Sequence, residues 1–87
     1  MTVHLLINGK VQGVFYRASA RKIAFELGVT GWIKNTNEGS VEALVSGQTE
    51  AIEKFIDWCK KGPSRAVVAG VIVTREEDAV FKGFVIK

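Results

Sequence analysis

Two residues stand out by type and place together as able to hold a small anion and a water: Arg17, at a helix start, and Asn35, at a strand end that the topology can bring near it. An arginine fork matches a phosphate or carboxylate with parallel N–H bonds. A carboxamide can accept from a water proton and donate to an oxygen, so it can aim a water molecule. The commoner machinery of hydrolysis is missing. The single histidine, His4, lies in a strand-like run with no obvious acidic partner, and reads as structural. No Ser-His-Asp grouping or metal-ligand cluster is visible, and Gly9 to Gly13 lacks the Gly-Lys-Ser/Thr ending of a nucleotide-binding loop. Both candidates also have a plain reading. An arginine near a helix end is commonly a solvated charge, and an asparagine beside Thr36-Asn37-Glu38-Gly39 commonly serves a turn.

Arg17 gains interest from its place in the chain. It ends the stretch Gly9-Lys10-Val11-Gln12-Gly13-Val14-Phe15-Tyr16-Arg17, between a strand-like run, Val3 to Ile7, and a helix-like run, Ala18 to Leu27. A helix start normally carries Ser, Thr, Asp or Asn to satisfy its first free N–H groups. None stands just before Ala18, and the charges are reversed for the helix dipole: Arg17, Arg21 and Lys22 come early, Glu26 late. The second helix, Thr49 to Lys61, is conventional by contrast. Glu50 and Glu53 open it, Lys60 and Lys61 close it, and Gly62-Pro63 stop it. The first start is therefore either an anion site or an end satisfied by water.

The 87 residues form one domain, 1–87, with a small core. At 47% hydrophobic and 24% charged, the composition is that of a soluble globular chain. No run is long enough to cross a bilayer, so no membrane partner is expected. One cysteine, Cys59, excludes an internal disulfide and the multi-cysteine zinc sites, and makes the cytoplasm the default location. It reads as a small buried apolar residue. The net charge of +3 is uneven: residues 1–35 carry five basic side chains and one acidic, residues 36–87 seven and eight. A positive excess near the junction suits a small anion better than a nucleic-acid track.

The positioning elements follow from periodicity. Val3, Leu5 and Ile7 give the first strand one apolar face. Asn8-Gly9 offers a hairpin turn, a reading opposed by Gly13 and by the helical pattern that follows. Tyr16, Ala20, Ile23, Ala24 and Leu27 make one helical stripe, closed by Gly28. Val29 to Asn35, the turn Thr36 to Ser40, and Val41 to Ser46 form a hairpin. Ile52, Phe55, Ile56 and Cys59 form the stripe of the second helix. Ala66 to Arg75 and a short Phe84 to Lys87 complete the strands, around the acidic turn Glu76-Glu77-Asp78. The order β-α-β-β-α-β with a short C-terminal strand indicates an α+β, ferredoxin-like (split β-α-β) sandwich. Its third strand should lie between the first and second, with all sheet neighbours antiparallel.

The stretch Gly9 to Arg17 resembles the signature of the acylphosphatases, as does Gly31-Trp32-Ile33-Lys34-Asn35-Thr36-Asn37-Glu38-Gly39-Ser40-Val41-Glu42. The resemblance covers nearly the whole chain, with Glu38 where the family more often has Asp, and Thr74 to Lys82 less similar. It implies hydrolysis of acyl phosphates to a carboxylate and inorganic phosphate, with no metal or other cofactor. Arg17 and Asn35 match the family's catalytic residues. Its phosphate-binding loop maps onto Gln12, Gly13, Val14, Phe15, Tyr16 and Arg17. The implied partners are a small acyl phosphate and inorganic phosphate or other small anions, met by a monomer. Two rivals share the fold. An RNA-recognition domain would stack bases on strand aromatics. Neither Val3 to Ile7 nor Val41 to Ser46 contains one. A domain of a larger carbamoyl-transfer protein of hydrogenase maturation is less favoured, because the chain reads as free-standing.

Overall fold

Val3, Leu5 and Ile7 have no exposed surface, and the other elements assemble on them. The computed structural model describes residues 1–87. It comprises β1 (Thr2–Lys10), α1 (Tyr16–Leu27), β2 (Thr30–Asn35), β3 (Val41–Ser46), α2 (Thr49–Lys61), β4 (Val67–Glu76) and β5 (Phe84–Ile86). The period-2 apolar residues of β1 and β3, with Ile33 of β2, form one face of the sheet. Both helices cover that face with their stripes: Tyr16, Ala20 and Ala24 from α1, and Ile52, Phe55 and Cys59 from α2. The result is the expected ferredoxin-like sandwich of two layers.

Strand order is β4-β1-β3-β2-β5. As expected, β3 lies between β1 and β2 and runs antiparallel to both. One expectation fails: β5 pairs parallel to β2, with Gly31 opposite Phe84 and Ile33 opposite Ile86. The chain after β4 crosses the sheet to its far edge, and no local pattern in the sequence encodes that crossing. β2 is therefore an interior strand, and its Trp32 lies beneath the ammonium groups of Lys34 and Lys87, at 5.6 and 4.5 Å.

β1 runs past Ile7 to Lys10, and Asn8-Gly9 is not a hairpin turn. The register against β4 shifts between Asn8 and Gly9, which is a bulge. Gly9 has φ 129° there, and a Cβ on it would stand 2.1 Å from the Val67 carbonyl oxygen. Only glycine fits. His4 gains an acidic partner that the sequence did not show: its Nε2 lies 2.7 Å from Glu42 Oε2, diagonally across β1 and β3.

Candidate active site

After Lys10 the chain leaves the sheet through five residues and enters α1 at Tyr16. Val11 and Val14 are buried and fasten this loop to the core. Tyr16 is buried too; its ring lies 5.3 Å from that of Trp58, and its hydroxyl donates to the Cys59 carbonyl at 2.7 Å. Burial pushes the Tyr16 phenol far above its usual range and the Cys59 thiol up to about 12, so neither is an acid–base group. Between the anchors, Gly13 and Phe15 take left-handed backbones, at φ 72° and φ 62°. A non-glycine residue held there costs about 1–2 kcal/mol. Strain of that kind persists only where the surroundings enforce it, and it gathers at functional sites. The Phe15 ring itself is 72% exposed.

The helix start is as bare as the sequence indicated. Phe15 is the N-cap residue, no side chain caps it, and the first turn carries no acid. The first backbone bond of the helix runs from Ser19 N to the Phe15 carbonyl at 3.0 Å. The N–H groups of Tyr16, Arg17 and Ala18 precede it and form the positive end of the dipole. The half-buried Arg17 has no carboxylate partner.

Asn35, the last residue of β2, comes to the same place. Gly13, Phe15, Tyr16, Arg17 and Asn35 share the lining of one cavity of about 320 Å³ with Val11, Ala18 and Ile86. Asn35 Oδ1 is buried and accepts no hydrogen bond from the protein. A buried acceptor without a partner costs about 1–3 kcal/mol, so its persistence calls for a reason.

Gln12 and Val14 do not line the cavity. Val14 serves as an anchor. Gln12 spans from the loop to the β2–β3 turn, its Nε2 donating to the carbonyls of Thr36 and Ser40, both at 2.8 Å. Within that turn the Ser40 N–H donates to Thr36 Oγ1 at 3.2 Å, and the Thr36 N–H donates to the Ser40 carbonyl at 2.9 Å. Gln12 thereby fixes the segment next to Asn35 relative to the helix start. Sequence reasoning had not found this tether, nor the place of Ile86. The partners of Gln12 are 24 and 28 residues away, and Ile86 arrives only through the parallel β5 pairing.

Fold and site together define a ferredoxin-like domain in which a bare cationic helix start, an arginine and a buried carboxamide face one cavity. The acylphosphatase family profile matches residues 3–86. An acylphosphatase of Roseiflexus sp. (strain RS-1) is 49% identical over 74 residues, which is 85% of this chain and 80% of that protein. The chain belongs to the acylphosphatase family. The structure of an acylphosphatase from Coxiella burnetii superposes with a TM-score of 0.95 at 37% identity, covering 99% of this chain and 90% of that one. T. kodakarensis HypF also contains a matching region, with a TM-score of 0.82 at 31% identity, covering all of this chain and 12% of that one.

Proposed function

We propose that this chain is an acylphosphatase that hydrolyses acyl phosphates to a carboxylate and inorganic phosphate without a metal ion. The N–H groups at the loop and helix start, with the Arg17 guanidinium, bind the phosphoryl oxygens. They stabilise the charge on those oxygens as the bond to the acyl oxygen breaks. Asn35 Oδ1 accepts from a water proton and holds that water in line for attack on phosphorus. The leaving group is a carboxylate, stable as an anion, so no general acid is needed, and a loose transition state asks little of a base.

One observation carries this reading: Asn35, whose Oδ1 is buried without a partner in the protein, lines the same cavity as Arg17 and the bare helix start. The lining supports it, since it holds no carboxylate, imidazole or thiol for proton transfer or metal ligation.

The test is hydrolysis of benzoyl phosphate in EDTA by wild type and Arg17→Ala. Turnover should persist in EDTA and fall roughly 10²–10³-fold in the variant, the cost of one transition-state donor. Inhibition by EDTA that a divalent ion reverses, near-normal turnover in Arg17→Ala, or no turnover by folded wild type would each overturn it.

A further inference from the structure

Two hollows adjoin the phosphoryl cavity, each through a different lining residue. Asn35 lines both it and a wholly polar hollow that also holds Lys34, Glu38 and Glu42. Ala18 lines both it and a groove of about 700 Å³. That groove runs between Arg21, Lys22, Phe25 and Glu26 of α1 and the segment Lys82 to Val85. The same strand continues from one cavity to the next, since Phe84 and Val85 line the groove and Ile86 the phosphoryl cavity.

In-line displacement needs the attacking and leaving oxygens on opposite sides of phosphorus. Asn35 lines the polar hollow and does not line the groove. A water held by Asn35 therefore leaves the groove as the exit for the acyl group. The two hollows also differ in charge. Three cations and one carboxylate line the groove, and none of the three cations is ion-paired. The polar hollow has two carboxylates and one lysine. The groove also offers apolar surface, with Phe25 87% and Val85 56% exposed. Arg21 and Lys22 lie three and four residues beyond Ala18, about 5–6 Å along the helix axis. That is within reach of a short acyl chain.

We propose that this groove is the acyl subsite and that it favours acyl phosphates carrying a second anionic group a few bonds from the reacting carbonyl. The inference rests on the acylphosphatase reading and adds to it a substrate class. Phe25, Phe84 and Val85 pack the chain, while Arg21, Lys22 and Lys82 meet its distal charge. These cations are solvated, so the discrimination is modest and sensitive to salt.

The test compares succinyl phosphate with butyryl phosphate, acyl groups of matched length with and without a terminal carboxylate. It uses low ionic strength and EDTA, with wild type, the double variant Arg21→Gln/Lys82→Gln and the control Lys60→Gln/Lys61→Gln. The control makes the same charge change at the far end of α2, away from the groove. Wild type and control should prefer succinyl phosphate, through a lower KM, by roughly fivefold for two exposed charge contacts. The Arg21/Lys82 variant should lose that preference with kcat unchanged, and added salt should erase it in the wild type. Normal hydrolysis of both substrates with no preference, or with an equal preference in all three proteins, overturns the subsite and leaves the acylphosphatase reading standing. If folded wild type hydrolyses neither substrate, that reading fails and the subsite fails with it.

Discussion

Replacing Asn35 with alanine should separate activity from stability. A residue kept for packing loses both together, whereas a residue kept to hold a water loses only the first. Asn35 Oδ1 is buried with no partner in the protein, an arrangement that costs the fold about 1–3 kcal/mol. Alanine removes that cost and leaves a small void at a half-buried position. The two effects oppose each other, so stability should change by no more than about 1 kcal/mol, within about 4–8 °C in Tm. Turnover should behave differently. Misplacing a reacting group by about 1 Å costs on the order of 10²-fold, and loss of its holder should cost at least that. KM should hold, because in the proposed mechanism phosphoryl binding falls to Arg17 and the amides at the helix start, which the substitution leaves in place. The assay pairs benzoyl phosphate kinetics with thermal unfolding followed by circular dichroism. Asn35→Asp is the companion variant: it keeps an acceptor oxygen but brings a negative charge to the incoming dianion, so KM should rise. A kcat within a few-fold of wild type in Asn35→Ala would refute the argument. So would a loss explained by KM alone, or a drop in stability that parallels the drop in activity.

Three further outcomes follow from neighbouring contacts. Gln12→Ala removes two bonds to the β2–β3 turn, so Tm should fall by about 4–8 °C per kcal/mol for a loss of about 1–3 kcal/mol, and kcat should fall as Asn35 loosens. Unchanged kcat despite the lower Tm would mean that the tether is structural only. Cys59, buried and with its thiol pushed up to about 12, should resist a thiol reagent in the native protein and react once denaturant unfolds it; rapid native labelling would contradict that burial. The hydrogen bond from His4, aided by Lys34, holds the Glu42 carboxyl below the ordinary glutamate value of 4.5. A depressed carboxyl stabilises the fold above its unfolded value, and that contribution is lost as pH falls through the folded one. Glu42→Gln should therefore be less stable than wild type near neutrality and converge with it in acid; a constant gap across the range would show that the pair carries no linked proton.

What was legible in the sequence was local. The bare start of α1 could be read because capping depends on residue types within one turn, and those around Phe15 are wrong for it. The left-handed cap at Gly28 and the stripes of both helices follow from equally short-range patterns. What failed depended on distant partners or on conformations that residue type does not announce. Asn8-Gly9 fits a hairpin turn as well as a bulge, and the approach of Val67 decides between them. His4 and Glu42 are 38 residues apart and meet through the β1–β3 register. Phenylalanine gives no signal of positive φ, so the strained backbone at Phe15 could not be foreseen. The parallel β5, which delivers Ile86 to the cavity, had no pattern at all.

The loop shows why side-chain chemistry is a poor guide to such a site. Of the six residues from Gln12 to Arg17, only Arg17 offers the cavity a charged side chain. Gln12 ties the loop to the turn beside Asn35, while Val14 and Tyr16 point inward as anchors. Gly13 and Phe15 supply the left-handed bends, and a Cβ on Gly13 would meet no protein atom within 4 Å, so the backbone there is open to a close approach. On the proposed reading the chemistry falls to backbone N–H groups that every residue but proline possesses, and residue identity is spent on holding those groups in place. A carboxylate leaving group makes such an economical site sufficient, since it departs without a proton and asks only for fixed donors and a placed water. A phosphate monoester would make a further demand, because its alkoxide must be protonated as it leaves, and none of the residues lining this cavity can supply that proton.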